Sequence, residues 1–412
     1  MREKLWTKDF TIITLGSFVS MIGNALASFA MSLFVLDYTG KTFYYAVYLF
    51  LYTFPQIVAP VIAGPLMDRF SRRRTIFFLD FATAAIYTLL GLAVLFDFMS
   101  FPLFGFAVFV SGTIYSSYVV AYESFFPLLI TKGNYAKGYS IASVLETLSQ
   151  VMVVVSTLIY KSVGLFPIMA MNAGCFLVAA LFEMNISDVE KERGIIGNTN
   201  AGTYSVKKYI GDFKEGTKYL LSEKGLLYIT LYFIIIFFVN GGVQVLTLPW
   251  FRSHFADGEF VYMSVWGFMV LGRAIGGMIH YAVKLPVNKK FAIALFVYLT
   301  IDVIEGVYLF LPLVLMRILT FLDGILGVTS YNIRLSATQS YVPNEKKGRF
   351  NGVFLTLTTI GTLSGQLVAG SLSEILETRM LILLIMSVGI LFGILIFARN
   401  RKVIAPIYNR QA

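Results

Sequence analysis

The sequence is short of charge and almost without cysteine. Asp, Glu, Lys and Arg together make up 14% of its 412 residues, against roughly 25% in soluble globular chains, so a charged skin around an apolar core is excluded. One cysteine, Cys175, leaves no intramolecular disulfide framework and no cysteine-based metal site. In its apolar run it reads as a small packing residue. The two histidines, His254 and His280, are far apart and lack metal-ligand spacing, so no metal is expected. No Gly-x-x-x-x-Gly-Lys-Ser/Thr phosphate loop occurs, which argues against an ATP-driven pump; no enzymatic activity is expected either. What fills the chain instead is apolar: 57% of residues are hydrophobic, with 38 Phe and 24 Tyr, and the mean hydropathy is +0.76. Such a chain must turn most of its surface to lipid.

A helix crossing the hydrocarbon core needs about 20 mostly apolar residues. Twelve such runs are bounded by charge, Gly or Pro, near residues 10–36, 44–67, 75–96, 102–126, 138–161, 165–187, 225–250, 260–283, 291–311, 313–338, 350–375 and 379–398. If the N-terminus is cytoplasmic, 26 of the 33 Lys and Arg fall in cytoplasmic segments and 4 in outer ones, leaving Arg273, Arg317 and Arg334 inside the spans. That asymmetry predicts a multi-pass cell-membrane protein with both termini cytoplasmic. It also absorbs the net charge of +10 with no nucleic-acid partner.

The chain divides near its middle. Residues 1–187 hold six spans, 188–224 form the one long polar stretch, and 225–412 hold six more. Within the linker Val206, Ile210, Phe213, Thr217 and Leu220 recur at helical spacing, with Lys207, Lys208, Lys214 and Lys218 on other faces. That pattern predicts an amphipathic helix, lying either on the inner leaflet or against the loops. The halves resemble each other weakly. Gly64–Asp68 followed by Arg72–Arg74 closes span two, as Gly277–Tyr281 followed by Lys289 and Lys290 closes span eight. The expected fold class is an all-α membrane protein whose 12 transmembrane helices form two pseudo-symmetric six-helix bundles, with a binding site between them near the midplane.

Gly64-x-x-x-Asp68-Arg69-x-Ser71-Arg72-Arg73 follows span two. Gly permits close helix approach and the arginines offer planar donors for a salt-bridge network. Spacing, place and basic tail resemble the signature loop of the major facilitator superfamily, with Ser71 where a Gly is usual. Phe213–Leu220 before span seven and Lys347–Phe350 opening span eleven look like bacterial macrolide-efflux and siderophore-exporter relatives. Ser111 stands where drug/proton antiporters usually carry an Arg in span four. Span five reads Gln150-Val-Met-Val-Val-Val-Ser156 where a Gly-Pro-rich pattern is usual. The resemblance implies that Gly64, Asp68, Arg69, Arg72 and Arg73 form a cytoplasmic gate, with Glu123 placed to pair with Arg72.

An ionisable side chain at the bilayer centre costs about 2.5–3.5 kcal/mol, so each calls for a partner or a role. In the second half Arg273 and Arg317 stand against Asp302, Glu305 and Asp323. Matched depths predict Glu305 with Arg317, and Arg273 with Asp302 or Asp323, leaving one acid over. In the first half Asp80, Glu123 and Glu183 lie near cytoplasmic ends, within reach of loop arginines. Glu146 sits deeper, with Gln150 one turn on. Glu146 and Asp323 are the candidates for proton coupling, structural pairing being the alternative. Asn24, Gln150, Asn240 and Gln244 are candidates for the substrate cavity, with interhelical hydrogen bonds the alternative.

The expected protein is a secondary transporter of the multidrug-resistance kind. It would export amphipathic small molecules by proton antiport and alternating access, as a monomer in the lipid bilayer, with no cofactor beyond the proton gradient. Uptake or exchange of a metabolite or lipid, and a non-transporting sensor or immunity-type protein on the same fold, are the alternatives.

Overall fold

The computed structural model describes residues 4–59, 70–131, 134–192, 206–282 and 285–410; the side chains of Glu146, Gln150 and a few neighbours, and of 206–209, fall outside the described set. The described residues form helices and no strand. In chain order these are α1 (Lys8–Thr39), α2 (Thr42–Thr53), α3 (Arg72–Leu95), α4 (Phe101–Leu129), α5 (Tyr135–Val163), α6 (Leu165–Glu183), the short α7 (Val189–Glu192) and α8 (Val206–Ser222). They continue with α9 (Lys224–His254), α10 (Gly258–Ala282), α11 (Lys290–Val307), α12 (Leu313–Tyr341), α13 (Asn344–Leu372), α14 (Thr378–Phe392) and α15 (Arg401–Tyr408). Ten helices among the described residues are long and apolar enough to cross a membrane. The second and fifth expected spans include residues or side chains outside the described set.

Hydroxyl caps start the helices where the sequence turns from polar to apolar. Thr7, Ser71 and Ser100 accept from the backbone N–H three residues on, at 3.2, 3.4 and 3.4 Å, each satisfying one donor that a helix start leaves free. Gly40 ends α1 at φ 66°, a conformation that suits glycine.

Contacts divide the chain into two compact units, Met1–Gly40 with Tyr48–Tyr209, and Lys41–Val47 with Ile210–Ala412. In the first, α1 packs on α5 and α6, and α3 on α4 and α6. In the second, α9 packs on α13 and α14, and α11 on α12 and α14. The same pairing pattern thus recurs in the two units. Phe10, Ile13, Ile76 and Phe125 centre a core of the first unit; Leu226, Tyr298, Phe350 and Phe397 and Val239, Leu246 and Ile385 centre two cores of the second. Outward-facing apolar side chains remain bare, with Phe106 68%, Phe296 67% and Ile375 77% exposed. Water would penalise that surface, and lipid does not.

The amphipathic helix α8 packs against the second unit. Leu220 is 2% exposed, and Phe213 and Tyr219 lie against the second unit's core. Arg349, at the start of α13, donates to Asp212 at 2.8 Å and to Glu215 at 2.7 Å. Gly216 sits so close to the Arg349 carbonyl that an added Cβ would come within 2.7 Å of it. Ile210 stays exposed.

Candidate functional site

The second unit holds a cavity of about 290 Å³ lined by Asn240 of α9, Arg273 of α10, Asp302 and Glu305 of α11 and Asp323 of α12. Three carboxyls and one guanidinium thus share one space inside the helix bundle. Glycines set it. An added Cβ at Gly272 would run into the Phe321 carbonyl, and one at Gly324 into the Met269 carbonyl. The backbones of α10 and α12 therefore touch where small residues permit it. Arg273 and Asp323 are the chain neighbours of these two glycines, so the close crossing brings them to one cavity, where the Arg273 charge acts on Asp323. Asp302 lies against α14 at Gly389, where an added Cβ would stand 2.9 Å from its Oδ2. Asp302 Oδ2 and Glu305 Oε2 are buried without a hydrogen-bond partner.

These positions correct the expected pairing of Glu305 with Arg317. Arg317 donates through Nε and Nη2 to Ser264 Oγ of α10, at 3.2 and 2.9 Å, whereas Glu305 joins Asp302 and Asp323 in the cavity. Arg273, matched in sequence with one acid, shares the cavity with three. Arg334, the third cation of the spans, is met by aromatic faces: its guanidinium carbon lies 5.1 Å from the Phe233 ring centre, 4.9 Å from Phe354 and 5.5 Å from Tyr331. Such contacts contribute about 0.5–2 kcal/mol each where water is excluded. Asn240 lines the cavity. Gln244 instead accepts from Gln366 of α13 at 3.1 Å, an interhelical hydrogen bond.

The first unit contains a larger cavity, about 880 Å³, lined by Asn24, Asp80, Ser111 and Glu123 among others. Asp80 and Glu183 face each other across the α3–α6 contact, 1% and 0% exposed. The side chains of Glu146 and Gln150 lie outside the described residues.

Gly64, Asp68 and Arg69 of the signature loop also lie outside the described residues. Arg72 pairs with Glu190 at 3.5 Å and not with Glu123, which lines the cavity of its unit. Ser71 Oγ donates to the same Glu190 at 2.8 Å, and the Arg73 N–H donates to it at 3.3 Å. The Arg73 guanidinium caps the Met184 carbonyl. Ser71 thus has a local reason where a glycine is usual: it caps α3 and binds Glu190. Glu190 was missed in the sequence; its one signal there is an acid shortly after span six, with loop arginines still to be matched. Glu190→Gln removes a charged acceptor from three donors, each such bond being worth about 1.5–3 kcal/mol. Amide exchange over the first turn of α3 is expected to rise at least tenfold; unchanged protection would refute the role assigned to Glu190.

Charged cavities inside bundles whose outer faces suit lipid fit a multi-pass membrane protein. The chain belongs to the Major Facilitator Superfamily, whose model matches residues 13–363. It is 26% identical over 289 residues to an uncharacterized MFS-type transporter, YkuC, of Bacillus subtilis (strain 168); the match covers 67% of this chain and 66% of that protein, just under two thirds of its length. Among solved structures it is similar to the nucleoside transporter NupG (TM-score 0.67, 13% identity, 94% of this chain and 99% of that one). It is also similar to a peptide transporter, POT, in complex with alafosfalin (TM-score 0.66, 13% identity, 97% and 96%). A bacterial homologue of the iron transporter ferroportin is similar at TM-score 0.62 and 15% identity, over 97% and 99%.

Proposed function

We propose that this protein is a twelve-span secondary active transporter of the cell membrane. It exports an amphipathic small molecule, of the drug, macrolide or siderophore kind, by alternating access in exchange for protons. The observation that carries this reading is the cavity of the second unit, where Asp302, Glu305 and Asp323 face the single guanidinium of Arg273. Four ionisable groups in such a place cost on the order of 10 kcal/mol before pairing, at about 2.5–3.5 kcal/mol each. One cation balances one anion; the acids left over suit proton exchange, with Asp323, next to Arg273, as the group whose charge state reports to the helix crossing.

On this reading both termini are cytoplasmic, and Gly64, Asp68, Arg69, Arg72 and Arg73 act with Glu190 as the cytoplasmic gate. Breaking that network shifts the balance between inward- and outward-facing states without removing the binding site. Purified protein in proteoliposomes with an internal pH dye tests the coupling. Addition of transported drug- or siderophore-like compounds is expected to release protons in proportion to the solute moved. Solute accumulation indifferent to the pH gradient would overturn the antiport, and no flux with any compound that binds would overturn transport itself.

A further inference from the structure

The cavity of the first unit has a chemistry of its own. Six tyrosines line it, and no Lys, Arg or His does among the described residues. Tyr52 and Tyr115 stack at 6.0 Å, and Tyr118 and Tyr122 at 5.8 Å, so broad ring faces form its walls. Its charged lining residues are the acids Glu123, exposed, and Asp80, buried. Glu183, which faces Asp80, accepts from Tyr118 Oη at 3.4 Å. Asp80 Oδ2 and Glu183 Oε2 are buried without a hydrogen-bond partner, as are Ser17 Oγ and Ser111 Oγ, which line the same cavity at 2% and 6% exposure.

A buried anion is tolerated when a cation or a full set of donors compensates it. Among the described residues the fold offers this pair one long hydroxyl contact, the facing carboxyl and no cation, so the compensating positive charge is either a proton or a cationic ligand. Aromatic faces attract cations as well as apolar groups, and about 880 Å³ is within the range of sites for drug-sized molecules. We propose that this cavity binds a lipophilic organic cation, with Asp80, backed by Glu183, as its counter-ion and the stacked tyrosines as its walls. The assignment rests on the transporter reading above and narrows its substrate class to molecules carrying a protonated or quaternary centre.

Two ions of nearly the same size and shape but opposite charge provide the test. Radiolabelled tetraphenylphosphonium is expected to bind the detergent-purified full-length chain saturably, while tetraphenylborate binds at least tenfold more weakly. Asp80→Asn is expected to weaken tetraphenylphosphonium binding at least tenfold and Asp80→Glu to restore most of it. Equal binding of the two ions, or binding of neither, would overturn the proposal in the unaltered protein, whatever the folding of the variants. Unchanged affinity in a folded Asp80→Asn variant would overturn the role of Asp80. Tetraphenylphosphonium binding with no solute-driven proton release would sink the transport reading alone; proton release by other solutes with no tetraphenylphosphonium binding would sink this one alone.

Discussion

Asp323→Asn is expected to lower proton-driven accumulation in proteoliposomes by roughly a hundredfold while leaving solute exchange at equal pH intact. The substitution keeps volume and hydrogen-bonding capacity but removes the charge beside Arg273. Arg273 must then take its counter-charge from Asp302 or Glu305 of the same cavity; one ionisable group at this depth costs about 2.5–3.5 kcal/mol, and about 1.4 kcal/mol corresponds to each factor of ten. Exchange at equal pH needs the helices to move but no net proton transfer, so it separates a coupling residue from a residue that merely holds the fold. Glu146→Gln, made in parallel, assigns the coupling: if Asp323→Asn keeps uphill accumulation and Glu146→Gln loses it, the proton path lies in the first unit. If both keep it, neither acid couples.

Gly324→Leu is expected to be among the most damaging single substitutions in the second unit. Its Cβ would run into the Met269 carbonyl and stand 2.9 Å from the Arg273 N–H nitrogen. Backbone cannot rotate aside as a side chain does, so α10 and α12 must separate. Overpacking of this kind costs about 1–3 kcal/mol or more. The separation would also withdraw Arg273 from Asp323, since each is next to a crossing glycine. The expected result is a fall of several degrees in melting temperature in detergent together with loss of uphill transport. Gly327→Leu, on the same helix but with no atom near its added Cβ, is the control and should melt close to the unaltered protein. Equal melting of the two variants would refute the close crossing.

The membrane class was legible in the sequence because it depends on lengths and sums. Apolar runs of about 20 residues, sparse charge and biased loops survive errors of a few residues at each end, and the model match over residues 13–363 agrees with the family that the Gly64–Arg73 motif resembles. Helix starts were legible to within a few residues, the spans expected near 10, 75 and 102 beginning at Lys8, Arg72 and Phe101. The charged residues inside the spans were legible as residues needing partners, since that cost depends on depth alone.

The partners were not. Glu305 and Arg317 match in depth, yet depth is one coordinate. Which way a side chain points around its helix is decided by the neighbouring helices, and these turn Glu305 to the cavity and Arg317 to Ser264. Arg334 settled among Phe233, Phe354 and Tyr331, a cation compensated by ring faces that no count of opposite charges would find.

By itself, then, the sequence determined that this chain lives in lipid, where its helices begin, which superfamily signature it carries and which ionisable residues need explaining. Only the tertiary structure decided that Asp80 faces Glu183, 103 positions away in the chain, that Arg72 takes Glu190, and that three acids of α11 and α12 share one arginine. The reason is physical: burial in lipid is a property of each helix and its composition, whereas compensation of a buried charge is a property of pairs, set by the close crossings that small residues allow between helices distant in sequence.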